Sequence, residues 1–357
     1  MPYPPPIARK SAALLRFTAK ADAGGKEFRA DLSAVAAQGD CLWLASDETA
    51  TIKRLAWTGS DYAEPATYAL ADFLDLPGDA DEEVDIEGLA VDGGYLWLTG
   101  SHSRVRKGGD RGEVSREAWL DELDDIRDKP SRHVVARIPL GAADGQGRCA
   151  LVRETEDGRR AALLRPKGRG NELSHAAAKD PHFGPFLKVP AKENGFDIEG
   201  LAVRGDRAWL GMRGPVVRRW AVILEIALDK AKESGLLRLR KRGGEKYRKH
   251  FVDLGGLGVR DLAADGDDIL ILAGPTLAPS GPVALYRWPG ALASDEPPAP
   301  ERLCLLPHGD GCDHIEGITL RPGPDGGREL LAVYDSPDPA RLHGAGGIDA
   351  DLFALPD

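Results

Sequence analysis

Long apolar runs, cysteines and the familiar catalytic signatures are all scarce in this chain of 357 residues, and each shortage narrows what it can do. No stretch approaches the roughly 18 consecutive apolar residues of a membrane-spanning helix, which excludes an integral membrane protein of that kind. The opening segment, MPYPPPIARK, leads into an apolar stretch of only Ala12 to Leu15 before Arg16 interrupts it. That is too short for a signal peptide. Four cysteines at this length do not make a disulfide framework, so a reducing cytoplasm is the expected location. The sequence has no G-x-S-x-G elbow, no G-x-x-x-x-G-K-[ST] loop, no H-E-x-x-H and no G-x-G-x-x-G opening a helix. Nucleotide-loop enzymes, zincins and elbow-type serine hydrolases recede accordingly. A Ser-His-Asp triad assembled from distant positions stays open.

What is present is charge and glycine. Lys+Arg number 47 against 57 Asp+Glu, a formal net charge of −10, which argues against nucleic acid as the main partner. Gly 43 and Pro 26 together make about 19% of the chain, a composition that fits many short strands joined by turns.

One phrase returns along the chain. DIEGLAVDGGYLWLTG runs from Asp85 to Gly100, and DIEGLAVRGDRAWLGM from Asp197 to Met212. Weaker copies start at Asp31 (DLSAVAAQGDCLWLAS), Gly258 (GVRDLAADGDDILILAG) and His314 (HIEGITLRPG, then ELLAVYDS). Each is a short alternating strand, a Gly/Asp turn and a second strand rich in Leu, Trp and Val, which is a β-hairpin signal. With Glu87 as the marker, the copies fall at 33, 87, 199, 260 and 316, a period near 55 with one double interval. That is the period of a four-stranded propeller blade.

The expected fold is therefore all-β, a single β-propeller domain over 1–357 with five blades of about 55 residues. Six blades are the alternative. The double interval is read as one blade with insertions at about 103–131 and 160–190, the first containing helical spacing of Trp119, Leu120, Leu123 and Ile126. Third strands are expected at 51–58, 133–140, 220–228, 283–288 and 348–355, and fourth strands at 63–70, 149–153, 250–254 and 302–306. The last blade lacks a fourth strand, and Ala12 to Ala19 is expected to supply it and close the ring.

In a propeller the loops entering first strands and those leaving second strands share one face. Glu87, Glu199 and Glu316 head three inner strands, with Ser33 and Arg260 at the other two. Asp47-Glu48, Ser101-His102, Met212-Arg213 and Asp335-Ser336 follow the second strands on that face. The basic stretch Arg238 to Lys249 is expected on the opposite face as a solvated loop. Crowded carboxylates cost free energy unless a cation or hydrogen-bond donors compensate. Ca²⁺, which takes six to eight oxygen ligands, would compensate a ring of Glu87, Glu199 and Glu316. An internal network in which Arg213 and Arg260 pair with the glutamates does the same. Gly88, Gly200 and Gly317 permit close backbone approach on a crowded axis. Cys304-x3-His308-x3-Cys312-x-His314 holds zinc-type ligands but matches none of the usual structural zinc spacings.

The phrases DIEGLAV and HIEGITL, with GMRGPV and YDSPDPARLHG, resemble a bacterial family of uncharacterised function whose members carry a Gly-x-Arg-Gly-Pro motif. The chain is also distantly similar to the esterase-like phytase and gluconolactonase propellers. That likeness implies a metal or substrate role for Glu87, Glu199 and Glu316 with their glycines.

These readings meet in a hydrolase of an ester, phosphoester or lactone at the channel mouth. A divalent cation held by Glu87, Glu199 and Glu316 would activate water, His102 or Asp335 would move the proton, and Arg213 and Arg260 would bind a small anionic substrate. The rival is a non-catalytic module that binds an anionic small molecule or a protein partner in the same funnel. Neither nucleic acid nor membrane is an expected partner, and the oligomeric state is left open.

Overall fold

A computed structural model of the chain describes residues 5–18, 27–78, 82–107, 115–277, 280–323 and 326–356. The expected hairpins form where the repeats lie, because each places a glycine or aspartate turn between two apolar strands. Leu32–Gln38 pairs with Cys41–Ser46, Ile86–Asp92 with Tyr95–Gly100, and Asp197–Arg204 with Arg207–Gly214. Gly258–Asp265 pairs with Asp268–Gly274, and His314–Pro322 with Arg328–Asp335. Third strands follow antiparallel at Thr51–Trp57, Val135–Pro139, Trp220–Lys230, Val283–Trp288 and Gly347–Ala354. The five first strands lie side by side in a closed cycle in chain order, so the sheets radiate from a common axis. The architecture is an all-β propeller.

Fourth strands match the sequence reading in four places, 250–254 falling largely within Tyr247–Asp253, and depart from it in one. Tyr62–Ala69 and Glu301–Leu306 are where they were expected. Ser11–Arg16 pairs antiparallel with Gly347–Ala354, so the N-terminal strand completes the sheet of the last repeat. In the second repeat the fourth strand is Ala162–Leu164, not 149–153, where only Leu140 and Leu151 form a bridge. Ala162, Leu163 and Leu164 are all buried, whereas 149–153 carries Arg153 at the surface. The second insertion therefore begins after Leu164. The stretch Arg238 to Lys249 is also no loop. Leu236–Arg240 and Tyr247–Asp253 both pair with Trp220–Lys230, at its C-terminal and N-terminal parts respectively.

The insertions carry their own small elements. Arg104–Arg106 pairs with Ile126–Asp128 around a helix, Arg116–Asp124, capped by the Ser115 side chain. The helix is short of buried residues, and Leu120 is exposed, so the apolar spacing that marks it does not seat it in the core. Residues 108–114 of this insertion lie outside the described residues. After Leu164 come a two-stranded turn, Pro166–Lys167 with Gly170–Asn171, and the helix Glu172–Ala177, whose Asn171 and Ser174 form a capping box. Among the described residues no helix is long and apolar enough to cross a membrane.

The core lies between neighbouring sheets and is keyed by small-to-large pairs. Trp43, Trp97 and Trp209 are almost fully buried, opposite Ala36, Ala90 and Ala202 on the first strands. An alanine across from each indole leaves room for the ring, which is the side-chain complementarity a sheet core needs.

At the axis the constraint is backbone against backbone. A Cβ on Gly200 would stand 2.9 Å from the Leu262 nitrogen, one on Gly88 3.1 Å from the Leu201 nitrogen, and one on Gly317 3.1 Å from the Val35 nitrogen. Each glycine thus lets the next first strand approach. Gly200→Ala is expected to destabilise the protein by about 2–4 kcal/mol, read as a lower urea midpoint at unchanged m-value, because the clash is with backbone that cannot rotate away.

Candidate active site

All five first strands break register at the marker position. The ladder shifts between Leu32 and Ala34, Ile86 and Gly88, Ile198 and Gly200, Val259 and Asp261, and Ile315 and Gly317. The residue skipped is Ser33, Glu87, Glu199, Arg260 or Glu316. A β-bulge inserts one extra residue and re-aims its side chain. Five bulges at one level therefore set these residues off the ladder at one end of the axis.

The arginines and most of the carboxylates there neutralise one another in a chain. Arg213 reaches Asp197 at 2.7 Å and Glu199 at 2.8 Å. Arg260 reaches the other Glu199 oxygen at 3.1 Å and also contacts Glu316. Arg132 holds Asp85 at 2.8 Å and Glu83 at 2.5 Å. Burial and these carboxylates act in opposite directions on Arg213, and the carboxylates win, pushing its pKa up. Burial pushes Asp197 and Asp85 up, with Arg213 and Arg132 respectively opposing. Asp261, beside Arg260, is buried and accepts from the Leu262 and Ile318 backbone N–H groups at 2.7 Å each, tying two first strands together.

Glu87 and Asp47 at this mouth form no ion pair with an arginine or lysine among the described residues. Glu87 is raised well above the usual carboxyl range, first by burial and then by the charges of Asp85, Glu199, Asp47 and Asp197. Asp47 is pushed up to about 8 by burial, then by Asp85 and Asp335, and its Oδ1 is buried without a hydrogen-bond partner.

A cavity of about 120 Å³ opens at the same mouth, lined by neither of these two carboxyls. Arg213, Arg260, Glu316 and Asp335 line it, with Pro275, Leu277, Val283 and Ile315 supplying an apolar wall. Asp335 accepts from Ser336 at 3.1 Å and lies 3.9 Å from His314. His308 and His314 line the same cavity, while Cys304 is buried in the core. The zinc-type phrase is thus divided between cavity and core.

Of the residues singled out from the sequence, Glu87, Glu199, Glu316, Arg213, Arg260 and Asp335 do meet at this mouth. His102 sits differently. It is 2% exposed, with Nδ1 2.9 Å from the Gly100 carbonyl and Nε2 2.8 Å from the Asn171 amide. Burial holds its pKa down at about 3, so it is a neutral buried imidazole with both nitrogens engaged, which does not suit a proton shuttle. The insertion supplies Asn171, and nothing in the repeat announces that contact.

The glutamates also do not stand free as a cation cage. Glu199 gives both oxygens to arginine and Glu316 gives one. Among the described residues no group of three or more His, Cys, Asp or Glu is placed to hold a metal. This donor set does not fit Ca²⁺, which needs six to eight oxygens free to turn toward it. Sequence reasoning placed Asp47 on this face without giving it a role, and missed Asp85, Asp197 and Arg132 as members of the cluster. The first aspartate of DIEGLAV, repeated at 85 and 197, was the available signal.

Residues 31–351 match a family described as "Protein of unknown function (DUF3616)". The chain belongs to this family. No curated protein matches it in sequence. Solved structures similar to this member of the family include Myxococcus xanthus glutaminyl cyclase, at 9% identity over 96% of this chain and 98% of that one, with a TM-score of 0.40. A GH43 β-1,3-galactosidase is 12% identical over 97% and 94% of the two chains, with a TM-score of 0.41. A putative 6-phosphogluconolactonase from Bacteroides uniformis is 14% identical over 92% and 73%, with a TM-score of 0.34.

Proposed function

We propose that the chain is one five-bladed propeller domain, closed by its N-terminal strand, that hydrolyses an ester or lactone at the channel mouth without a bound cation. The observation that carries this reading is the pair of carboxyls, Asp47 and Glu87, that burial and neighbouring carboxylates hold above the usual range with no arginine paired to either. A group held protonated near neutral pH beside one that is ionised is the arrangement that general acid–base chemistry requires. In this reaction Asp335 takes a proton from water as its oxygen bonds to the acyl carbon. Asp47 gives a proton to the leaving alkoxide as the acyl C–O bond breaks, so one water is consumed and an acid and an alcohol leave. Arg213 pairs with Asp197 and Glu199, and Arg260 with Glu199 and Glu316, which fixes the shape of the site. With two carboxylates each already engaged, the two arginines are given no substrate-clamping role in this mechanism.

A panel of γ- and δ-lactones and p-nitrophenyl esters, assayed with and without EDTA, tests this. Turnover is expected in both conditions. Turnover only after Ca²⁺, Mg²⁺, Mn²⁺ or Zn²⁺ is restored would return the chemistry to a cation, and no turnover on any member would favour the non-catalytic binding module.

A further inference from the structure

The cavity beside Arg260 has a chemistry of its own. Arg213 and Arg260 turn toward carboxylates, which leaves Lys192 as the cation on its wall with no ion pair among the described residues. Lys192 does not stand on a free loop. The next residue, Glu193, forms a backbone bridge with Leu277 across the cavity rim, and its carboxylate pairs with Arg106. His308 faces the cavity as well, and it too has no carboxylate partner among the described residues. On the same lining Leu277 leaves 53% of its surface exposed, an apolar side chain at the rim of an already apolar wall. An apolar cavity of about 150 Å³ accommodates a benzene-sized molecule, so this one suits a body of about five or six carbons.

We propose that this cavity is a subsite for a compact organic acid, with the carboxylate received by Lys192 and His308 and the hydrocarbon laid against Pro275, Leu277, Val283 and Ile315. It deepens the hydrolytic reading, on which it rests for its purpose: Asp335 lines the same cavity, so an acid anchored there brings the rest of the molecule to the proton-transferring carboxyls. The preferred ester or lactone then carries a second, anionic group. Lys192 and His308 are both exposed, so the preference for an anion over a neutral molecule of the same shape is that of groups in contact with water and weakens as salt is added.

Calorimetric titration of the full chain at pH 7 with hexanoate, hexanamide and hexylammonium tests this directly. Hexanoate is expected to bind at least ten-fold more tightly than hexanamide, and hexylammonium not at all. Lys192→Met is expected to remove that preference while leaving hexanamide unchanged, and Leu277→Ser to weaken both. Asp47→Asn is expected to keep or improve hexanoate binding, so a failed hydrolysis assay and a failed subsite give different results. Equal binding of acid and amide, an unchanged hexanoate affinity in Lys192→Met, or no hexanoate binding at 50-fold excess over the expected millimolar range would each overturn the subsite.

Discussion

Asp47→Asn is expected to abolish turnover and, above pH 8, to make the protein more stable than the wild type. The folded-state pKa of Asp47, about 8, lies far above the roughly 3.9 of an unfolded aspartate. Between these two values the folded protein holds a proton that the unfolded chain releases, so stability falls as pH rises from about 4 to 8. Above pH 8 the charged side chain costs its full amount, on the order of 2–4 kcal/mol once contact with water at this half-buried site is allowed for. Asparagine carries no charge to desolvate. Thermal melts at pH 5 and pH 9 read the effect, with the two proteins alike at the lower pH and the variant melting several degrees higher at the upper one. An active Asp47→Asn enzyme would remove this residue from the reaction, and equal melts at pH 9 would show that its charge is compensated. A group that costs stability and is nevertheless present is what a functional site predicts.

Arg213→Met is expected to act in the opposite direction, by destabilising the fold. Arg213 stands between Asp197 and Glu199, which are 1% and 4% exposed. Removing one partner of a buried ion pair leaves an uncompensated charge at a cost of about 3–5 kcal/mol. Arg260 still reaches Glu199, so most of the loss falls on Asp197. Urea unfolding at pH 8 is expected to show a clearly lower midpoint, and the deficit is expected to shrink toward pH 5 as Asp197 takes up a proton, which its upward-shifted pKa already favours. Arg213→Lys restores the charge without the two-pronged geometry and is expected to recover part of the stability. Wild-type stability with lost turnover would instead place Arg213 on the substrate.

How much of this was legible in the sequence follows from which interactions are local. The hairpins were readable because each rests on its own alternation and its own turn, repeated until the period was unmistakable. The glycines at 88, 200 and 317 were readable too, since a small residue at one place in every strong copy marks backbone approach. The fourth strand at 250–254 was readable, but its start at Tyr247 and the companion segment Leu236–Arg240 were hidden by arginines and lysines, whose long stems lie along a sheet while their charges reach water. Ala162–Leu164 was hidden by being only three residues long. At the mouth, the markers were visible but their bulges were not, since a register shift depends on the partner strand. Asp47 acquires its character from burial in the folded mouth and then from Asp85 and Asp335, which stand 38 positions after it and far along the chain. His102 looked like a mouth residue from its place after a second strand, and Asn171 from a distant insertion made it an interior one.

The N-terminal strand that pairs with Gly347–Ala354 imposes an order on synthesis. Ser11–Arg16 leaves the ribosome about 330 residues (347 − 16) before its partner Gly347–Ala354. At about 5–20 residues per second the wait is on the order of tens of seconds, during which a strand with Ala13 and Leu15 destined for the interior has no antiparallel neighbour. Nascent chains stalled before residue 347 should therefore remain sensitive to protease near their N-terminus, and a chaperone that shields one short apolar strand would act on this protein during translation rather than after release.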